Sequence, residues 1–230
     1  MSTPTVQART STFDWGAFVK KYAIVGILLL LVIVVSILTQ GTFLGPQNLI
    51  NVVRQVAAIG IIATGMTFVI IINGIDLSVG SILAASAVVA ASLSQMPDAS
   101  AKMFPGLSVH PLVALLAGLA VGALLGLING SLIAKFKIAP FIATLGMMTA
   151  ARGMALMYSN GRPVSGLSDE FNWLGQGDFL FVPVPIWIFA IVAIAAHLVL
   201  NFTRFGRHTY AIGGNEQAAR VSGIAMSKIK

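Results

Sequence analysis

Residues 52–93 read VVRQVAAIGIIATGMTFVIIINGIDLSVGSILAASAVVAASL, and how this stretch is divided decides the fold. It is apolar almost throughout, interrupted at Asn73-Gly74-Ile75-Asp76. Two membrane-spanning helices with a tight turn fit it, and so does one crossing with a broken segment. The basic residues separate these possibilities. With two spans and the N-terminus inside, the cytoplasmic segments hold ten: Arg9, Lys20, Lys21, Lys135, Lys137, Arg204, Arg207, Arg220, Lys228 and Lys230. The outer segments then hold three, Arg54, Lys102 and Arg162, and Arg152 falls inside a span. A single crossing flips every later loop and leaves five inside against eight outside. Lys and Arg collect in cytoplasmic loops, so the sequence predicts the tight turn.

Working outward, four further runs approach the length needed to cross a hydrocarbon core of about 30 Å. The expected spans are 22–39, 52–72, 77–93, 111–133, 140–158 and 185–201. In lipid they must be helices, because no water satisfies an exposed backbone. The expected fold class is an all-α polytopic transmembrane bundle with six spans. Residues 1–21 form a cytoplasmic segment, 22–201 the transmembrane domain, and 202–230 a second cytoplasmic segment. Outside, Ser168-Asp169-Glu170 is expected to open a short surface helix carrying Phe171 and Leu174.

Composition agrees. Hydrophobic residues make up 57% and charged residues 9% of the 230, where soluble domains carry about a quarter charged. The net charge of +7 comes from basic residues flanking spans, which excludes a nucleic-acid partner and implies a lipid one. Residues 22–39 are longer than a signal-peptide core, and Thr39-Gln40-Gly41-Thr42-Phe43 offers no small-x-small cleavage site. No cysteine is present. A phosphate-binding loop, a nucleophile elbow and a paired-histidine zinc motif are all missing from the sequence. Neither an enzyme, a metal site nor a cofactor is expected.

Several residues within the apolar runs carry polar or steric information. Gly118, Gly122, Gly126 and Gly130 recur every four residues, a stripe that lets another helix approach closely. Helix packing is the expected role, with Gly126→Leu expected to impair assembly. Asn129, beside the stripe, either packs or caps a helix or faces a solute path. Asp76 either caps the third span, after an Asn73-Gly74 turn, or lines a path, and Asn73 likewise is either structural or part of a path. Arg152 lies within the fifth span and should face the interior or a watery cavity, because lipid exposure is costly.

After the sixth span comes RFGRHTYAIGGNEQAARVSGI, residues 204–224. Gly213-Gly214 is expected to break any helix, Asn215 to cap a new one, Glu216 to favour its start and Gly223 to end it. Such a short helix, with Ala218 and Val221 on one face, needs contacts from elsewhere to persist. It suits a groove on a partner protein.

Residues 74–81 (GIDLSVGS), 160–164 (NGRPV), 140–145 (PFIATL) with Arg152-Gly153, and 211–224 together resemble the permease subunits of ribose-type sugar ABC importers. The resemblance runs from about Phe43 to Lys230. It implies two permease chains forming a path for a monosaccharide, an extracytoplasmic sugar-binding protein that delivers it, and a cytoplasmic ATP-binding subunit that drives alternating access. It implies location in the inner (plasma) membrane with the N-terminus cytoplasmic. It also assigns ATPase coupling to Gly213, Gly214, Asn215, Glu216, Ala218, Ala219, Arg220, Ser222 and Gly223. Permeases of this family continue with further spans, so the resemblance implies a missing C-terminal part. The alternative is a proton-coupled secondary transporter, for which Asp76 is the available intramembrane acid.

Overall fold

The computed structural model describes residues 15–107 and 109–229. Residues 1–14, with Arg9, lie outside the described residues, as do Ser108 and Lys230. The chain forms two compact units, 1–52 and 53–230. In the first, α1 (Trp15–Leu38) is a 24-residue helix, about 36 Å long at 1.5 Å per residue. Ile24, Ile37 and Leu38 on it are more than 70% exposed, which only a non-aqueous solvent accommodates. A 3₁₀ turn, Thr42–Leu44, follows, and α2 (Pro46–Ile71) begins with Pro at its first position, where a missing N–H costs nothing.

The second unit holds the rest of α2, then α3 (Val79–Leu93), α4 (Pro111–Ala134) and α5 (Pro140–Tyr158). After these come α6 (Asp169–Gln176), α7 (Val184–Phe202), α8 (Arg204–Gly214), α9 (Glu216–Val221) and α10 (Met226–Ile229). A two-stranded hairpin, β1 (Asp178–Phe179) and β2 (Val182–Pro183), precedes α7. Among the described residues, five helices are long and apolar enough to cross a membrane. The expected third span is the exception. It is a 15-residue helix, about 22 Å long, preceded by irregular backbone at 72–78.

The break within residues 52–93 is a helix stop. Asn73 takes φ +56° and its N–H reaches the Ile70 carbonyl, while Gly74 N–H reaches that of Val69 over 2.8 Å. This paired closure satisfies two carbonyls at the end of α2. Asn is among the few residues that tolerate the left-handed conformation.

The core of the second unit lies between α3, α4 and α5. Ala85, Leu125, Met147, Ala151 and Ala155 form it, with Ile82 and Val121 packed alongside. Small residues dominate because lipid supplies no hydrophobic drive, leaving close backbone packing to hold helices together. Gly118 and Gly122 serve this. A Cβ at Gly118 would sit 2.9 Å from Ala90 Cβ and the Ser86 carbonyl, and one at Gly122 would sit 2.9 Å from Ser86 Oγ. Gly60 plays the same part for α2, lying under the Phe189 ring of α7.

Long-range bonds sort the second unit into two ends. At the hairpin end, Arg54 donates to the Gln176 carbonyl (2.7 Å) and pairs with Asp178 (3.1 Å). Met96 N–H bonds to the Gly166 carbonyl, Ser168 N–H to that of Ser94, and Ser92 to Tyr158. At the turn end, Asn73 bonds to Gly213, and Asn129 to Ser78. The loops grouped on each face are those that the six-span reading places together. The expected surface helix is α6, where Ser168 Oγ accepts from Phe171 N–H and Asp169 and Glu170 occupy the first turn.

Candidate functional site

At the turn end lies a cavity of about 520 Å³. Its walls come from the end of α2, the α2–α3 turn, one side of α4, the start of α5 and the α8–α9 junction. Three of the four polar residues expected in a solute path line it: Asn73, Asp76 and Asn129.

Asp76 is not a helix cap. Its Oδ1 accepts from Ser78 N–H (2.8 Å) and from Ser78 Oγ–H, a local turn one step before the helix, whose N-cap position is Ser78. The carboxylate therefore stands beside the helix start and faces the cavity. Asn129 Nδ2 donates to Ser78 Oγ over 3.2 Å. Since Ser78 gives its only proton to Asp76, its oxygen must accept from Asn129, and this fixes the orientation of the carboxamide. Asn129 is 4% exposed, and its Oδ1 is buried without a partner. A buried acceptor left unpaired costs about 1–3 kcal/mol.

Arg152 stands apart. It is exposed on α5, lines none of the cavities described, and has no hydrogen bond or ion pair among the described residues. The expectation that it faces the interior of this chain is not met.

One of the four glycines departs from the packing stripe. Gly126 is exposed, and a Cβ there would meet nothing within 4 Å, which corrects its expected role as a packing contact within this chain. Gly130 lines the cavity. Gly126 borders open space between contacts: Gly118 and Gly122 meet α3 on one side, and Asn129 reaches the α3 cap at Ser78 on the other.

The segment after α7 also differs from expectation. Gly213 and Gly214 do not break a helix; both lie inside α8, which runs from the Thr203 cap to Gly214. Gly206, Thr209 and Ile212 make its buried face, with Ile212 only 2% exposed. Gly213 sits so close to the end of α2 that a Cβ there would overlap the Ile71 carbonyl oxygen. The glycine serves close approach, not flexibility. The break falls at Asn215, extended at φ −157°, whose Oδ1 accepts from Ala218 N–H at 2.9 Å and caps α9. Gly223 follows at φ +82°. Ala219 is the buried contact of α9; Ala218, Arg220, Val221 and Ser222 are exposed, and Arg220 pairs with Glu216 at 3.8 Å.

The turn end thus combines an acceptor-rich cavity with an exposed short helix. They share a wall, because Gly213, Gly214, Asn215 and Glu216 line the cavity too.

Residues 48–230 match the family described as branched-chain amino acid transport system / permease component. The chain is 42% identical to the ribose import permease protein of Escherichia coli (strain K12), over 100% of this chain and 68% of that protein. It is 44% identical to the ribose import permease protein of Bacillus subtilis (strain 168), with the same coverage. With the galactose/methyl galactoside import permease protein of Escherichia coli (strain K12) it shares 39% identity over 86% of this chain and 61% of the relative. No solved structure matches the chain.

Proposed function

Because the chain belongs to the branched-chain amino acid transport system / permease component family, we propose that it is the membrane-spanning subunit of an ATP-driven monosaccharide importer. The family description mentions amino acids, and the site chemistry bears on that choice. An amino acid carries a carboxylate that a low-dielectric path would match with a cation or dense donors. No Lys, Arg or His lines the turn-end cavity among the described residues. Asn73, Asp76, Asn129 and Thr144 do line it, a set suited to neutral hydroxyls. The names of the relatives, which import ribose or galactose, point the same way.

The observation that carries the reading is the attachment of residues 204–221 to the α2–α3 turn. In the proposed mechanism an ATP-binding subunit docks on α9, at the cytoplasmic end. The six residues of α9 are too few to persist alone, but the Asn215 cap closes their first turn and Ala219 is buried. When the ATPase closes, α8 and α9 move as a rigid piece. Gly213, seated on the Ile71 carbonyl, passes that motion to the end of α2 and to the cavity wall. Hydrolysis belongs to the separate subunit. The other partners proposed are an extracytoplasmic sugar-binding protein and a second permease chain. The chain is a multi-pass membrane protein, placed by this reading in the inner (plasma) membrane with its N-terminus cytoplasmic.

The test is reconstitution of the full-length protein in proteoliposomes with its ATPase and binding protein. Uptake of D-ribose or D-galactose that requires ATP is the expected result. Uptake that persists without ATP and collapses with the proton gradient would establish the proton-coupled alternative instead.

A further inference from the structure

A second cavity, of about 550 Å³, runs along α3 and α4 from Leu115 and Phe171 toward the turn end. It shares two lining residues with the first cavity, Asp76 and Gly126. The two spaces therefore lie on either side of the same pair, one carboxylate and one residue without a side chain.

Three observations give the pair meaning. A Cβ at Gly126 would meet nothing within 4 Å, so helix packing within this chain does not call for glycine there, and alanine would be the better helix former. The described buried side-chain polar atoms without partners are Arg54 Nε, Ser86 Oγ and Asn129 Oδ1. Ser86 lines the second cavity and Asn129 the first, one on each side of the pair. Finally, Asp76 is partly exposed and Ser78 engages only its Oδ1, so the other oxygen is left to accept from whatever passes.

We propose that Asp76 and Gly126 form the neck of a solute passage along the α3–α4 face, where the Asp76 carboxylate receives sugar hydroxyls on their way to Asn129. The sugar rests on the importer reading; the passage itself does not. Glycine at 126 keeps the neck open, and any side chain there enters the passage instead of a helix contact. Carboxylate and carboxamide oxygens suit hydroxyl donors, and the apolar wall of the second cavity suits the C–H faces of a sugar ring.

Two experiments on the full-length protein, assembled with its ATPase and binding protein, test this. In the series Gly126→Ala, Gly126→Val, Gly126→Leu, assembly should stay at the wild-type level while D-ribose uptake falls stepwise, to complete loss with leucine. Failure of the leucine variant to assemble, or full uptake by it, would overturn the proposal. Second, the chain has no cysteine, so Gly126→Cys can be labelled alone with a water-soluble methanethiosulfonate. Labelling should proceed in the assembled complex and slow several-fold with D-ribose. No labelling in any nucleotide state would overturn the passage, whichever solute the wild type carries. Slowing by sodium chloride but not by D-ribose would replace the sugar with a cation and overturn the assignment. Wild-type protein that moves no sugar, with Gly126→Cys still labelled, would sink only the importer reading.

Discussion

The carboxamide of Asn73 donates to the carbonyl oxygen of Gly213 over 3.0 Å, joining positions 140 residues apart in the chain. One partner closes the α2 helix and the other belongs to the last turn of α8. The bond is exposed, so it adds little to stability. Its value is mechanical, since it ties α8, which leads into the helix proposed to meet the ATPase, to the turn that carries Asp76.

Asn73→Gly isolates that tie. Glycine accepts φ +56° without strain, so only the side chain is lost. We expect the assembled complex to keep its thermal stability within about 1 kcal/mol, while sugar moved per ATP hydrolysed falls several-fold. An unchanged ratio would mean that the bond transmits nothing.

The paired glycines of α8 should behave differently from each other. A methyl at Gly213 overlaps the Ile71 carbonyl oxygen, whereas one at Gly214 meets nothing within 4 Å. Gly213→Ala should therefore uncouple hydrolysis from uptake while leaving membrane insertion intact. Gly214→Ala should be nearly silent, or stabilise α8 by up to about 1 kcal/mol. Sugar-stimulated ATPase activity measured on each single variant checks the contrast.

Gly118→Leu should remove folded protein from the membrane. The substitution drives a branched side chain into Ala90 and the Ser86 backbone, and overpacking of this kind costs about 1–3 kcal/mol or more. Membrane expression and detergent-solubilised yield are the readouts. Wild-type yield would contradict the tight α3–α4 crossing.

At the hairpin end, Arg54 is the anchor and Asp178 the lesser partner. Their side chains are 16% and 55% exposed, and Arg54 also donates to the Gln176 carbonyl. Asp178→Asn should change stability by less than about 1 kcal/mol, as exposed pairs usually do. Arg54→Leu removes both contacts and should free the α6–β1 connection. Limited proteolysis across residues 176–183 should accelerate in the Arg54 variant only.

The fold was legible in the sequence because lipid imposes a one-dimensional code. Apolar length gave five of the six expected spans as helices of membrane-crossing length, the third being the shorter α3; Asn73-Gly74 gave the turn, and the short α9 announced itself through Asn215 and Gly223. What escaped depends on where helices cross. The four-residue glycine repeat is the same at Gly118 and Gly126, yet only at the former would a Cβ meet α3. Gly213-Gly214 looks like a helix breaker because its other explanation, the carbonyl of Ile71, lies far away in the chain. The α8 helix had a local signal in Thr203 and in the spacing of Gly206, Thr209 and Ile212, but glycine on a buried face hid it. Of the two roles open to Asp76, the cap falls to Ser78, two residues on, because Asp and Ser both serve at helix starts.

Residues 204–221 are proposed to face the cytoplasm and receive an ATPase. Gln217 is exposed on α9, and the chain has no cysteine, so Gln217→Cys in the full-length protein reports on this helix alone. Treated with a membrane-impermeant maleimide, it should stay unlabelled in intact cells, react in inside-out vesicles, and be protected there when the ATPase subunit is bound. Labelling of intact cells from outside would contradict the account.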